Sequence, residues 1–288
     1  MTAEAVAPAA SRPLVSRLSL NQQTTKSWSL AEALDGCRRH GLESVGVWRE
    51  PVAEVGLDEA ARLVRESGLR VSSLCRGGFV TAAAGPERAR ALADNRAAID
   101  EAAALGAASL VLVVGGLPAD APRDLVGARQ RVADALGELA PYARERGVLL
   151  ALEPLHPMFA ADRAVLSTLG QAVDLAEQHP AEAVGVVVDT YHVWWDPQVL
   201  EQVARAAGRI ASFQLCDWLT PIPAEALMGR GMPGDGHIDF APLVDAVLAA
   251  GYTGDVEVEL FNREIWAADP DEVVATMVER WHTLLSGR

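Results

Sequence analysis

Residues Val184–His192 read VGVVVDTYH. A short run of valines without polar alternation is the pattern of a strand buried on both faces, as in a parallel sheet. The run ends on Asp189, an acid with no polar neighbour on its own strand. A buried acid needs a partner, a hydrogen-bond network or a cation. The same arrangement recurs at Glu153 in LALEPLHP, Gln214 in IASFQLCD and Glu259 in VEVELFN, each an oxygen donor near the end of an apolar run.

Similar runs recur along the chain: Leu18–Gln22, Ser44–Trp48, Arg70–Cys75, Ser109–Val114, Leu149–Glu153, Gly185–Asp189, Ile210–Leu215 and Asp255–Leu260. Between them lie segments with helical spacing, among them Ser29–His40, Asp58–Ser67, Pro86–Leu105 and Asp124–Arg146. Gly41, Gly68, Gly106 and Gly147 follow these, where glycine accepts the left-handed conformation that ends a helix. Ser29 with Glu32 makes a capping-box pattern, and Pro86 and Pro197 suit a first helical turn. Eight strand–helix units in alternation predict an α/β protein, a (β/α)8 TIM barrel. An open doubly wound sheet is the alternative, but no GxGxxG follows the first strand, and no nucleotide cofactor is expected.

The 288 residues suit one barrel, which needs about 250. Residues 1–16 read as a disordered N-terminal tail and 17–288 as a single barrel domain. A net charge of -14 argues against a nucleic-acid surface and favours a cation site. Lys26 is the only lysine and lies on no inner strand, which excludes Schiff-base chemistry. Cys37, Cys75 and Cys216 are scattered, the usage of a reduced cytoplasmic protein. The start of the chain has no signal-peptide pattern, and no apolar run reaches the roughly 18 residues that would span a membrane.

At the mouth of such a barrel, strand ends five to eight would bring Glu153, Asp189, Gln214 and Glu259 together. Each of the four is about one strand–helix unit from the next. Oxygen donors alone favour a hard divalent ion, Mn²⁺ or Mg²⁺ with Co²⁺ as an alternative, over zinc. For any one acid, pairing with an arginine is the competing reading. For Gln214 it is an ordinary satisfied amide.

EPL, VVVDTYH, FQLCD, GDGHIDF and VEVELF resemble the xylose-isomerase-like barrels called sugar phosphate isomerase/epimerases, over roughly residues 17–285. That group includes ketose 3-epimerases, inosose dehydratases, hydroxypyruvate isomerases and the endonuclease IV enzymes. The resemblance implies a metal held by Glu153, Asp189 and Glu259. Gln214 stands where the epimerases have histidine and the hydroxypyruvate-isomerase-like members have glutamine. It also implies that Glu153 and Glu259 form the acid/base pair of an enediolate mechanism, with Asp189 and Gln214 as structural ligands. Pairing into a homodimer is a further implication.

His192 matches the family's substrate-binding histidine; a bond to a loop carbonyl is the plainer reading. His156 fits either a pocket or a loop. Arg230 in MGRGMPGDG, Arg76 beside Gly77–Gly78 and Trp48 after strand two complete the expected substrate-binding set. For the arginines, surface exposure or a pair with Glu50 is the alternative. The aromatic residues fit either sugar stacking or packing. Cys75 has no base beside it and is not expected to act as a nucleophile.

These residues predict a divalent-metal-dependent isomerase or epimerase of a ketose, keto-acid or modified sugar. A lyase or dehydratase on the same site and a non-catalytic barrel subunit are the alternatives. The acidic surface and six histidines speak against a three-zinc endonuclease. The expected partner is a small carbohydrate or keto-acid, with no nucleic acid and no membrane.

Overall fold

A computed structural model of the chain describes residues 12–119 and 123–286. Its barrel strands are β1 (Leu18–Asn21), β2 (Ser44–Trp48), β3 (Arg70–Gly78), β4 (Leu110–Val113), β5 (Leu150–Leu152), β6 (Val184–Asp189) and β7 (Ile210–Leu215). Two short strands, β8 (Asp217–Trp218) and β9 (Arg230–Gly231), come next, and β10 (Val256–Val258) is the eighth barrel strand. The barrel closes in the order β1-β10-β7-β6-β5-β4-β3-β2, all parallel. The chain is therefore a (β/α)8 barrel.

Side chains of successive strand residues alternate between the helix layer and the barrel interior. The outward set packs with the helices into one large core that includes Leu20, Val45, Leu110, Leu150, Val186 and Val258. The inward set forms a separate small cluster, Cys75, Val111, Ala151 and Val187, with Trp48 and Ala211 against it. Glu153 and Asp189 stand two residues beyond Ala151 and Val187, so the cluster is the floor on which the acids rest.

Local signals act as read. Ser29 and Glu32 form the capping box of the helix Leu30–Arg39, and Pro86 opens the helix Pro86–Leu105. Gly68 and Gly106 end their helices in the left-handed conformation. Two readings need correction. Pro197 precedes the N-cap Gln198 of the helix Val199–Arg205 and is not in its first turn. Residues 12–16, read as part of a disordered tail, are ordered against the barrel base. Arg12 pairs with Asp255 at 2.7 Å, Leu14–Arg17 form a 3-10 turn, and Trp281 Nε1 donates to the Val15 carbonyl. Residues 1–11 lie outside the described part. Among the described residues no helix is long and apolar enough to cross a membrane.

Candidate active site

Glu153, Asp189 and His192 converge at the C-terminal mouth of the barrel, with one ligating atom of each within 4.8 Å of the others. Glu153 follows β5, Asp189 ends β6, and His192 lies in the helical turn Thr190–Val193 that Asp189 caps through the Tyr191 N–H at 2.8 Å. All three are buried. Glu259, just past β10, faces them across Arg230.

Arg230 sits at the centre of the site, only 2% exposed. Its Nη1 donates to Glu259 Oε2 at 2.8 Å and Asp189 Oδ2 at 3.1 Å. Its guanidinium lies 4.9 Å from the ring centres of both Tyr191 and Phe261, a stacking that suits a planar cation. Arg230 belongs to β9, which pairs antiparallel with β8. Asp217 on β8 holds this hairpin and the following loop: its carboxylate accepts from the backbone N–H groups of Trp218, Gly234, Gly236 and Ile238 at 2.8–2.9 Å. The surface-arginine reading of Arg230 is thus replaced by a buried ion pair.

The charges do not balance. Three buried carboxylates, Glu153, Asp189 and Glu259, face one guanidinium, so the cluster with all acids ionised is short of two positive charges. Burial, and then the charges of Glu259 and Asp189, push the Glu153 carboxyl well above the usual range. Burial raises Asp189, with Arg230 opposing it. Burial likewise pushes Glu259 up to about 7, held back by Arg230. His192 is kept neutral, first by burial and then by Arg230. Its Nδ1 accepts from the His156 backbone N–H at 3.1 Å, and its Nε2 meets Arg230 Nη2 at 3.0 Å. A neutral imidazole accepts at only one nitrogen, so one of these contacts opposes two donors.

Gln214 lies beside Asp189 in the β6–β7 register and beside Glu257 in the β7–β10 register. Its Nε2 donates to Glu257 Oε2 at 3.3 Å, while its Oε1 is buried without a hydrogen-bond partner among the described residues. A bare buried acceptor beside carboxylates in excess is what a cation would satisfy. The residues present therefore fit a divalent ion beside Glu153, Asp189 and His192, whose ligating atoms converge.

A cavity of about 110 Å³ opens above the acids. Trp48, Arg76, His192 and Arg230 line it, together with Glu153 and Glu259. Arg76 stacks over Phe79 at 4.4 Å, and Glu50 acts on it through its charge without a direct contact. Cys75 also lines the cavity, and burial pushes its thiol well up, which disfavours the thiolate. His156 is absent from the lining. It packs behind His192 against Trp195 and Trp218, with ring centres 5.3 and 5.1 Å away. Trp218 itself stacks on Tyr191 at 4.6 Å, away from the cavity.

Sequence reading passed over Phe261 and Arg163, both in the lining, and Glu257 and Asn21 below it. For Glu257 a signal existed: the alternation in VEVEL puts residues 257 and 259 on the same inner face.

A curated 3-dehydroshikimate dehydratase of Pseudomonas putida is 32% identical over 167 residues, 55% of this chain and 24% of that protein. An inosose isomerase of Bacillus velezensis is 29% identical over 157 residues, 54% of each chain. The chain thus spans about half or less of the curated enzymes it matches. The crystal structure of protein SMc04130 from Sinorhizobium meliloti 1021 is 47% identical, covers 94% of this chain and 98% of that one, and superposes with a TM-score of 0.90. The xylose isomerase-like TIM barrel family matches residues 34–283, so the chain belongs to that family.

Proposed function

We propose that this protein is a divalent-metal-dependent isomerase or epimerase of a small keto-sugar or keto-acid. The observation that carries the reading is the charge imbalance at the barrel mouth: three buried carboxylates and the bare Gln214 Oε1 around a single arginine, under a cavity. Glu153, Asp189, Gln214 and Glu259 would hold the ion, in practice Mn²⁺, Mg²⁺ or Co²⁺ given an all-oxygen donor set. When bound, the ion polarises the substrate carbonyl and acidifies the adjacent C–H.

The chain's own groups do the rest. Glu153 and Glu259 come from strands on different sides of Asp189, so one takes the proton from carbon and the other returns it. Arg230 and His192 orient substrate oxygens, Arg230 being fixed by its two carboxylates and two rings. Arg76 and Arg163, on the cavity wall, receive the far end of the substrate, which favours one carrying a carboxylate or several hydroxyls. Trp48 and Phe261 keep water from the reacting carbon.

The test is exchange of the substrate α-hydrogen in D₂O, followed by proton NMR across a panel of keto-sugars and keto-acids with Mn²⁺ present. Glu153→Gln should lower the exchange rate by about 10²–10⁴-fold without unfolding the barrel. Unchanged exchange in that variant would overturn the proton-transfer role. A dehydratase reading has one observation in its favour, the similarity to the Pseudomonas enzyme. On that reading one glutamate removes the α-proton and a β-hydroxyl leaves as water, taking its proton from the Glu153 carboxyl, which burial favours in the protonated form, whereas His192 is kept neutral and His156 does not line the cavity. Release of water with formation of a C=C bond separates this reaction from exchange alone.

A further inference from the structure

Glu257 is fully buried inside the barrel, and no cation touches it among the described residues. Its Oε2 accepts from Asn21 Nδ2 at 2.8 Å and from Gln214 Nε2 at 3.3 Å. Asn21 is oriented in turn, because its Oδ1 accepts from Trp48 Nε1 at 2.8 Å and from the Gln23 N–H at 3.1 Å. With Oδ1 so engaged, the Asn21 amide must present its N–H to Glu257. Space for the carboxylate comes from Gly46, where a Cβ would fall 2.7 Å from Glu257 Oε2. Residues of β1, β2, β7 and β10 therefore converge to hold one uncharged-partner carboxylate in place.

An amide has two chemically different ends, and only the oxygen can ligate a cation. An acceptor on one side of Gln214 sorts those ends. A carboxylate is acceptor-only, so it takes Nε2 and leaves Oε1 directed away. That Oε1 is the buried atom without a partner, on the residue that lies beside Asp189. We infer that Glu257 is a positioning residue that sets the amide of Gln214 oxygen-first toward the cation site, through a relay running from Trp48 and Asn21. This rests on the metal reading above, and it explains how a glutamine, which has two possible faces, can serve as a fixed oxygen donor. Outer groups that orient ligands typically change metal affinity by about 10–100-fold when removed.

The probe is Mn²⁺ titrated calorimetrically into the full chain freed of metal, with melting of the metal-free proteins as a control on folding. Glu257→Leu removes the acceptor and should weaken Mn²⁺ binding by about 10–100-fold. Glu257→Gln keeps an acceptor oxygen where both donors arrive and should stay within about threefold of the native protein, because orientation survives although the charge is lost. Adding Gln214→Glu to Glu257→Leu should recover affinity, since a carboxylate offers oxygen from either end. If Glu257→Leu does not fold, Glu257→Ala gives the same comparison without added bulk. Equal weakening by Glu257→Gln and Glu257→Leu would make the effect one of charge and overturn the orienting role. Unchanged binding in Glu257→Leu would overturn it as well. Loss as complete as that of Glu153→Gln would make Glu257 a ligand instead. A native protein that binds none of Mn²⁺, Mg²⁺, Co²⁺ or Zn²⁺ would overturn the metal reading, and this inference with it.

Discussion

Arg230 shows how one side chain can decide the state of a site. Its guanidinium touches Asp189, Glu259, Tyr191 and Phe261, so the two carboxylates depend on it for neutralisation in the metal-free protein. Removing one member of a buried ion pair leaves an uncompensated charge, which costs about 3–5 kcal/mol. Arg230→Met keeps much of the volume and loses the charge, so it should lower unfolding stability by about that amount at neutral pH. Denaturant titration checks this, and a loss below about 1 kcal/mol would mean that Asp189 and Glu259 do not rely on the arginine. The same variant should be stabilised by added Mn²⁺ more than the native protein is, because the ion would replace the missing cation.

At the scale of elements, legibility followed periodicity. The β2 and β7 bounds agree with the sequence reading, and the helix Pro86–Leu105 agrees at both ends, because short apolar runs and helix-end signals are local. The β8–β9 hairpin was invisible: two-residue strands carry no period, and what holds them is Asp217 accepting three backbone N–H groups from a loop 17 to 21 residues away. Arg230 was therefore legible as a candidate but not as the buried centre of the site. Glu153, Asp189 and Glu259 were legible because an acid closing an apolar run is locally anomalous. The role of Gln214 depended on Glu257, which an adjacent strand supplies, and cross-strand partners cannot be read from one strand alone. The fit between β2 and β10 gives a prediction at this scale. Gly46→Ala would push its methyl into Glu257 and should cost about 1–3 kcal/mol through overpacking. In a Glu257→Ala background that cost should vanish, and a double-mutant cycle measures the difference. An equal cost in both backgrounds would place the clash elsewhere.

For the whole molecule, the site trades stability for acids placed where a cation can use them. Glu259 has its carboxyl raised to about 7 from an ordinary 4.5, chiefly by burial. A carboxyl whose folded value lies above its unfolded one binds its proton more tightly in the folded state. Its contribution to stability is complete below about 4.5 and is lost as pH rises toward and through about 7. Glu153 is shifted in the same direction, chiefly by burial, so its contribution is likewise lost as pH rises. For Glu259 alone the change is on the order of 3 kcal/mol across that window. Glu259→Gln cannot ionise at this position. Measured without metal, the stability of the variant relative to the native protein should therefore move in the variant's favour by that order between about pH 4.5 and pH 8. A difference independent of pH would show that Glu259 is not the group responsible. Saturating Mn²⁺ should abolish the native protein's loss at the upper end, since the ion binds the ionised carboxylates of the folded state and not the dispersed ones of the unfolded chain.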